Sequence, residues 1–467
     1  MKRRYAILLV VVAQTGCAVG PDYREPTQSV PDHFGNASQP SIVDGEVVAQ
    51  FWTLLNDPVL DRLVSDALAA NKDLAQAAGN LQASRAAARF TGFDAFPTVT
   101  AGGSYSRTLE SSHQLPGATR EQRRIDTYDL GFDATWELDL FGRVRRSKEA
   151  ARADVGAAEA TLRDAIVSVT AEVARNYCVL RGLQDQLAVA ERNEVNQRQT
   201  LDLTQVRLDA GRGTQLDVAR AAAQLATTEA TIPPLRTSIA TTIHRLSVLT
   251  GRQPDVLIPE LAASRPMPTL PSLSAIDGPE VLLRRRPDVR IAERNLAAAT
   301  ARIGVSVADL FPRITLIGSA SYNSGTWRNV GSADSQTYSV GPSITWAAFD
   351  LGRVRARIGI ARAETDIALA AYQAAVLNAL EDTENSLVGY GESQRREETL
   401  ERAATQSTTA ARLARQRFEG GLSDFLSVLQ AERDALAAED SLAQSRTQTA
   451  TSLIAVYKAL GGGWMTP

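Results

Sequence analysis

The sequence has little histidine and cysteine, the residues on which most metal sites and many catalytic sites depend. Among 467 residues there are three histidines and two cysteines, and the histidines do not have the spacing of metal ligands. The glycine-rich stretch 211–214 lacks the Gly-Lys-Ser/Thr ending of a phosphate-binding loop. These absences argue against an enzyme, and they predict no cofactor and no metal site.

The sequence also lacks an excess of either charge. It has 50 Lys and Arg residues against 53 Asp and Glu residues, a formal net charge of -3, and no long basic block. Since nucleic-acid binding depends on clustered positive charge, this balance predicts no nucleic-acid partner. A hydrophobic content of 44% is ordinary for a folded protein well above the size of a single core.

The N-terminus carries the signals of export. An apolar stretch, residues 5–13, is too short to span a bilayer and follows the basic residues 2–4, so we predict a signal peptide at 1–16. Cys17 comes next in a Thr-Gly-Cys sequence that resembles a bacterial lipobox, with Gln14 where that pattern usually has leucine. The resemblance implies that Cys17 carries a covalent lipid. The alternative is an ordinary signal peptide followed by a chance cysteine.

The residues around the two cysteines add a location and a structural role. Ala18 follows Cys17 in place of aspartate, which by the same resemblance favours the outer membrane. We therefore expect residues 17–56 to form a lipid-anchored N-terminal segment. Cys178 then has no disulfide partner, and its helical surroundings predict a small buried apolar residue.

The chain repeats itself. Marker residues within 73–97 recur within 288–312 at an offset of 215, and those within 128–251 recur within 338–461 at an offset of 210. The five-residue slip lies between the two blocks, where a surface loop tolerates a change of length. Each half is predicted to contain a helix, a β-hairpin, a long helix and a further helix. The expected parts are a first repeat at 57–250 with strands at about 98–107 and 127–138, a proline-rich linker at 251–279, and a second repeat at 280–467 with strands at about 313–323 and 337–348.

The predicted strands alternate between apolar and polar residues. In the first half Leu130 and Phe132 lie on one face, and Asp129, Asp133 and Glu137 lie on the other. In the second half Val340 and Ile344 lie on the apolar face. Aromatic residues mark the ends of this face, about eight residues apart, which is roughly 19 Å along a tilted strand and close to the apolar band of a membrane barrel. The expected girdle residues are Tyr105, Tyr128, Trp136, Tyr322, Tyr338 and Trp346.

Four strands do not close a barrel. Lipid leaves an open sheet edge with unpaired backbone groups, so a membrane sheet of this kind must close by association of several copies. A polar inner face favours the water-filled lumen of a twelve-stranded trimer over an eight-stranded dimer. The residues alone leave the number of copies open. A soluble, half-buried β-layer is the alternative.

Two long helices are predicted. Residues 143 to about 209 contain no proline and many strong helix formers, and about 67 such residues give a helix of roughly 100 Å. Residues 353–419 repeat the pattern. A helix of this length suits a tunnel across the periplasm. Gly182 and the Pro233-Pro234 pair are expected to interrupt the helices, and Asp73 and Asp288 are expected to cap helix starts.

A glycine-rich turn ends each long helix. These turns, 210–214 and 419–423, are predicted to be the tips of two helical hairpins. We expect all four of their glycines to adopt positive φ. The glycines are Gly211, Gly213, Gly420 and Gly421.

Together these features resemble the outer membrane factor family, the TolC-like channels, and within it the lipoprotein branch of OprM and NodT type. The resemblance covers essentially the whole mature chain. It implies a mainly α-helical protomer with a β-barrel portion in the membrane, a homotrimer with a twelve-stranded β-barrel and a twelve-helix periplasmic tunnel, and docking to a periplasmic adaptor. The residues that carry it are 17–23, Phe51-Trp52, 141–143, 284–288, Phe311-Pro312, 351–353 and 460–464.

The resemblance also implies roles for the tips. In the family, inward-facing aspartates just past the turns form a gate, and Asp217 matches that position, with Arg220 one turn further on. In the second half Ser427 and Gln430 stand where the family often has aspartates, and Asp424 lies nearby. For Asp217 the alternative is a carboxylate that stabilises the first turn of its helix. The residues implied to dock the adaptor are Gly211, Gly213, Thr214, Gly420, Gly421 and Leu422.

Three classes of function remain at this point. The first is the exit duct of a tripartite efflux pump of the resistance-nodulation-division (RND) type, in the outer membrane of a Gram-negative bacterium, which exports small toxic compounds. The second is the exit duct of a type I protein-secretion system, and the third is a periplasmic helical scaffold. By resemblance, Cys17 and the Arg286-Pro287-Asp288 sequence favour the first over the second. The sequence does not identify the exported compounds.

Overall fold

The computed structural model describes residues 18–27, 30–35, 42–43, 50–271, 273–274 and 278–462. Cys17 and residues 463–464 of the C-terminal motif lie outside this set. The chain forms two compact units. Of the described residues, the first unit contains 18–27, 80–159 and 291–373, and the second contains the remainder.

Helices make up most of the described chain. In chain order the main ones are α1 (Pro58–Ala70), α2 (Lys72–Phe93), α3 (Arg143–Asp209), α4 (Gln215–Glu229), α5 (Ile232–Leu249), α6 (Pro279–Arg285), α7 (Pro287–Ala308), α8 (Leu351–Glu419) and α9 (Phe425–Ala459). The two predicted long helices are confirmed, since α3 has 67 residues and α8 has 69. Within the described ranges, each helix is either too short or too polar to span a bilayer.

The first unit contains a four-stranded antiparallel sheet. Its strands are β1 (Thr98–Leu109), β2 (Arg124–Leu138), β3 (Arg313–Ser324) and β4 (Gln336–Thr345), which pair in that order. β4 was predicted to reach residue 348 and stops at Thr345, whose partner is Arg313, the first residue of β3. Pro312 precedes Arg313 and has no N–H with which to extend the ladder. Trp346 therefore lies just after the strand.

The register of the sheet confirms the predicted alternation. Tyr128, Leu130 and Phe132 of β2 lie opposite Tyr105, Gly103 and Ala101 of β1. Asp129 and Asp133 have polar or small partners on both sides: Ser104 and Thr100 in β1, and Asn323 and Ser319 in β3. Because directly paired residues point to the same side of a sheet, one face is apolar across its strands and the other is polar.

The second unit has an aromatic and aliphatic core. The ring of Phe51 stacks on that of Tyr457, with centroids 5.1 Å apart and planes 10° from parallel. Cys178 belongs to the same core and is fully buried. Burial raises the pKa of its thiol to about 12, so the prediction of a buried apolar role for this cysteine is confirmed.

Gly182 does not interrupt α3, contrary to the prediction. A Cβ at this position would overlap the side chain of Thr447 in α9, so the missing side chain serves a close approach of two helices. Pro233 and Pro234 do follow a break, because α4 ends at Glu229 and α5 begins at Ile232. They lie in the first turn of α5, where a missing N–H leaves no helical hydrogen bond unmade.

The start of α2 is capped by Asn71, so the prediction for Asp73 was wrong. The side-chain oxygen of Asn71 accepts hydrogen bonds from the backbone N–H groups of Asp73 and Leu74, at 2.8 and 3.1 Å. Asparagine is as good an N-cap as aspartate, and it stands at the position before the helix. At α7, Asp288 lies within the first turn and its carboxylate accepts from the N–H of Val289 at 2.9 Å.

Candidate functional sites in the sheet, its N-terminal strap and the helical tips

Aromatic side chains cluster at the end of the sheet farthest from the helices. The rings of Tyr105 and Tyr128 lie 4.7 Å apart, and Tyr128 also contacts Trp327 at 5.9 Å. Trp327 was missed in the sequence because it lies in the loop after β3, outside the alternating pattern. Just beyond this cluster Arg107 forms a bidentate ion pair with Asp126, at 2.6 and 3.1 Å. The apolar face therefore ends in aromatic rings and then in charge.

At the other end of the sheet, two tryptophans bond the backbone near the strand ends. The indole N–H of Trp136 donates to the carbonyl of Ala95 at 3.1 Å, and that of Trp346 donates to the carbonyl of Leu310 at 3.0 Å. An apolar ring with a satisfied polar edge suits the boundary between an apolar layer and water. The remaining girdle residues lie between these ends. Tyr322 pairs with Leu130 and Gln336, and Tyr338 pairs with Ala320.

The polar face of the sheet is hydrogen-bonded. Asp129 accepts from Ser321 and Asn323 of β3, each at 3.2 Å. Ser321 also bonds Thr337 of β4 at 2.9 Å. Near the start of α3, Glu137 accepts from Arg143 at 2.8 and 2.5 Å. Hydrogen-bonded polar groups therefore line this face from β2 to β4.

An N-terminal strap, residues 18–27, lies against the corner where β2 gives way to α3. The N–H of Val19 donates to the carbonyl of Phe141 at 3.2 Å. Gly142 has a φ of +83°, and a Cβ there would come within 2.6 Å of the Cα of Ala18. Only glycine fits this corner without strain, because both the positive φ and the space require it.

Arg146 of α3 binds the strap through several hydrogen bonds. It is 4% exposed, and its guanidinium donates to the carbonyls of Val19 and Gly20 and to the carboxylate of Asp22, at 3.1, 3.3 and 2.7 Å. Gly20 has a φ of +92°, and a Cβ there would overlap the backbone of Gly304 in α7. Sequence reasoning missed Arg146 and Gly304, because their role depends on contacts more than a hundred residues away.

Tyr23 fixes the middle of the strap. Its hydroxyl donates to Glu293 at 2.5 Å, and Glu293 is 2% exposed and also binds Arg294. Burial, followed by this hydrogen bond, raises the pKa of Tyr23 well above its ordinary range. The hydroxyl is therefore a proton donor throughout the physiological pH range.

The two tips end their long helices in the same way. Gly211 donates its N–H to the carbonyl of Leu208, and Gly421 donates to that of Phe418, both at 2.9 Å, with φ of +69° and +73°. The prediction of positive φ was wrong for Gly213 and Gly420, which do not have it. A Cβ at Gly213 would lie 3.0 Å from the N of Leu208, so close backbone contact explains this glycine.

The helices after the tips are capped by the same two groups in exchanged positions. In the first repeat Thr214 is the N-cap. The carboxylate of Asp217, three residues on, accepts from the N–H of Thr214 at 3.3 Å and from its hydroxyl at 2.7 Å. In the second repeat Asp424 is the N-cap, and it accepts from the N–H and hydroxyl of Ser427, at 3.2 and 2.5 Å. These hydrogen bonds lower the pKa of Asp424. Asp217 bonds Thr214 and not Arg220.

The first tip is tied to the second by Arg207. Its guanidinium lies 4.2 Å from the ring centroid of Phe418 and donates to the carbonyl of that residue at 2.5 Å. Phe418 packs against Phe425 across the second turn, with centroids 5.6 Å apart. Leu422, at the end of that turn, is 74% exposed. The second tip thus presents an apolar side chain over a small aromatic core.

Groups of three or more His, Cys, Asp or Glu side chains suited to a metal ion do not occur within the described ranges.

Comparison with known proteins gives a family match over most of the chain. The outer membrane efflux protein family matches residues 63–252 and 278–462. Nodulation protein T of Rhizobium leguminosarum bv. trifolii is 30% identical over 462 residues, which cover 99% of this chain and 97% of that protein.

Two further similar proteins are an outer membrane protein and an outer-membrane channel. Outer membrane protein OprJ of Pseudomonas aeruginosa is 30% identical, over 98% of this chain and 95% of its own length. A solved structure of the outer-membrane channel OprN superposes with a TM-score of 0.90 at 42% identity, over 96% of this chain and all of that one.

Proposed function

Because this chain belongs to the outer membrane efflux protein family, we propose that three copies of it assemble into the exit duct of a tripartite pump. The family assignment confirms the resemblance seen in the sequence, and the protein is an outer-membrane efflux channel rather than a periplasmic scaffold. The proposed assembly consists of a homotrimer of this chain, a periplasmic adaptor protein and an inner-membrane pump of the RND type.

The sheet is the observation that carries the trimer. β1 and β4 are its outer strands, and each pairs with a single neighbour within the protomer. In lipid, each unpaired backbone group on these edges costs several kcal/mol. Pairing β4 of one copy with β1 of the next removes all of the edges. The polar inner face favours the wider, water-filled bore of twelve strands from three copies over the filled bore of eight strands from two. Leu130, Phe132 and Val340 then face lipid, and the polar face lines the lumen.

The strap supports lipidation of Cys17. Ala18 packs at the corner where β2 ends, at the same end of the sheet as the tryptophans Trp136 and Trp346. Cys17 is the next residue toward the N-terminus, so an acyl chain attached to it enters the lipid leaflet beside the sheet. Mass spectrometry of the mature N-terminus tests this, and an unmodified terminus beyond Cys17 would refute it.

The tips are proposed as the gate and the docking surface. Asp217 and Asp424 each provide a carboxylate just past one of the turns, and Arg220 follows Asp217 on the same helix. Three copies around an axis would bring these carboxylates into one constriction, where like charges repel unless a cation or arginine lies between them. The turns, from Gly211 and Gly213 to Thr214 and from Gly420 and Gly421 to Leu422, expose backbone and one leucine to an adaptor.

The function is tested by deleting the gene and exposing cells to a panel of small toxic compounds. Greater sensitivity, restored by the wild-type gene, is the expected result, together with unchanged secretion of proteins. Loss of a secreted protein without a change in sensitivity would favour a type I secretion duct instead. The match to the outer membrane efflux protein family favours the efflux pump over protein secretion.

A further inference from the structure

A polar cavity lies between three helices of the second unit, about one to five helical turns from the tips. It has a volume of about 210 Å³ and is lined by α3, α8 and α9. Ala411 of α8 and Ala435 of α9 face it, so small side chains leave the space open. A cavity of this size has room for several water molecules or for one small organic molecule.

The floor of the cavity contains a side chain without partners. Gln197 of α3 is 4% exposed, and neither its amide nitrogen nor its carbonyl oxygen has a hydrogen-bond partner among the described residues. Buried amides in folded proteins are almost always hydrogen-bonded. In a polar cavity, a side chain with two donors and one acceptor free is a partner for ordered water or for a bound molecule.

The charges around the cavity select the kind of molecule. Its two carboxylates are already engaged: Glu432 accepts from Thr200 at 2.9 Å, and Glu439 accepts from Asn193 at 3.1 Å. The arginines Arg192 and Arg412 line the cavity, are exposed, and form no ion pair with any described residue. The free groups are therefore mainly cationic donors.

We propose that this cavity binds a small carboxylate that also carries a hydroxyl or another hydrogen-bond donor. The carboxylate accepts from Arg192, Arg412 and the amide nitrogen of Gln197, since guanidinium and amide groups match its two oxygens. The second group donates to the carbonyl oxygen of Gln197. The site is separate from the turns and caps of the tips, and it does not depend on the pump.

The test is isothermal titration of the full-length protein in detergent with three probes. Lactate has both a carboxylate and a hydroxyl, propionate lacks the hydroxyl, and propionamide also lacks the charge. We expect saturable binding in the order lactate, propionate, propionamide, with the last undetectable. Absence of saturable lactate binding, or equal binding of propionamide, would overturn the proposal.

Variants locate the binding in the cavity. Gln197→Leu should weaken lactate binding about tenfold and abolish the advantage of lactate over propionate, since its hydrogen bonds are lost. Ala435→Leu fills the cavity and should abolish binding. Gln205→Leu, the same change at an exposed position of α3, should leave binding unchanged.

Circular dichroism and elution volume show whether each variant is folded. Should Ala435→Leu misfold, Arg412→Gln at the exposed mouth takes its place, with weaker binding of both acids expected. Lactate binding that is unchanged in Gln197→Leu and in the cavity variant would contradict the assignment. The assignment would also be contradicted if wild type bound no acid and Gln197→Leu had a higher thermal midpoint, because the cavity would then be an unoccupied void.

Discussion

In both repeats, a side chain just after the first helix donates a hydrogen bond to the end of the last helix. The two contacts are at equivalent positions, but the donor residues differ. In the first repeat, Asn71 donates to the carbonyl of Leu249 at 2.9 Å. In the second, Arg286 donates to the carbonyl of Ala459 at 3.1 Å, and these acceptors are equivalent at the repeat offset of 210. Each acceptor is followed two residues later by a glycine with positive φ, Gly251 or Gly461.

These two anchoring side chains, Asn71 and Arg286, differ in the number of groups that each one binds. Arg286, 8% exposed, reaches a second carbonyl at Ala379 and pairs with Asp288 and Asp382, at 2.6 and 3.1 Å. Asn71 makes one such link and uses its other atom to cap α2. Duplication has therefore preserved the position of the backbone, while the second repeat replaces a neutral hydrogen bond with a buried cation.

The corner between sheet and helix shows the same divergence. In the first repeat Arg146 and Gly142 hold the strap, whereas Ala356 stands in the second repeat at the position equivalent to Arg146. Gly352, equivalent to Gly142, lies within α8 and does not have positive φ. A chain has a single N-terminus, so one corner serves the strap and the other is free to be helical.

The largest expected effect comes from removing the charged anchor. Arg286→Met should lower the free energy of unfolding by about 3 to 5 kcal/mol, because two backbone carbonyls and two carboxylates lose their shared hydrogen-bond donor. Asn71→Leu should cost about 1 to 3 kcal/mol through one buried hydrogen bond and a cap. Guanidinium unfolding in detergent, followed by helical circular dichroism, measures both. Arg284→Met at a 76% exposed side chain is the control, and an equal loss there would refute the anchor.

A smaller effect is expected at the two helix-ending glycines. Gly251→Ala adds a Cβ 2.5 Å from the carbonyl oxygen of Ala70, whereas the nearest atom to a Cβ at Gly461 is 3.6 Å away. Both variants force an alanine into the left-handed region, at a cost of about 1 to 2 kcal/mol, and Gly251→Ala adds a clash. The same unfolding measurement should therefore rank Gly251→Ala as the less stable. The reverse order would contradict the close approach described at Ala70.

Changing the N-cap of α4 at the first tip should have a still smaller effect on stability, and it should also change ion conduction through the channel. Thr214→Ala should cost about 1 kcal/mol of helix stability. The double exchange Thr214→Asp with Asp217→Ser copies the second tip onto the first, so it should restore the cap while moving the carboxylate by three residues. Cation preference in planar bilayers should change in this double variant and in Asp217→Ala. An unchanged preference in both would assign Asp217 to helix capping alone.

The smallest effect concerns a carboxylate near the charged anchor. Burial, and then repulsion from Asp288, raise the pKa of Asp164, while the second repeat has Ala374 at the equivalent position. A raised pKa in the folded state means that stability falls as pH rises through that value. Asp164→Asn should therefore raise the thermal midpoint at neutral pH and have no effect at acid pH, where wild-type Asp164 is protonated. A stabilisation that is independent of pH would contradict this explanation.

Much of the fold could be predicted from the sequence, because its signals are local. The absence of proline between residues 143 and 209, followed by a glycine turn, defines α3, and the alternation from Tyr128 to Trp136 defines β2. Repetition within the chain then gives the second half. Strand ends were less certain, since β4 stops where Pro312 ends the ladder of its partner.

The parts that were missed depend on contacts between distant residues. Gly182 looks like a helix break until Thr447 is seen to occupy the space beside it. Arg146 looks like any surface arginine of α3, although the strap buries it. Asp217 illustrates the limit for function, because its capping bond to Thr214 is visible in the protomer, whereas a gate requires three copies.

Native mass spectrometry of the protein extracted from the outer membrane tests the central claim most directly. If the sheet closes by joining β4 of one copy to β1 of the next, the particle contains three chains, each heavier than the polypeptide from Cys17 onward by an attached lipid. A stable monomer or dimer would contradict closure by three copies. A particle of three unmodified chains would support the barrel but refute lipidation at Cys17.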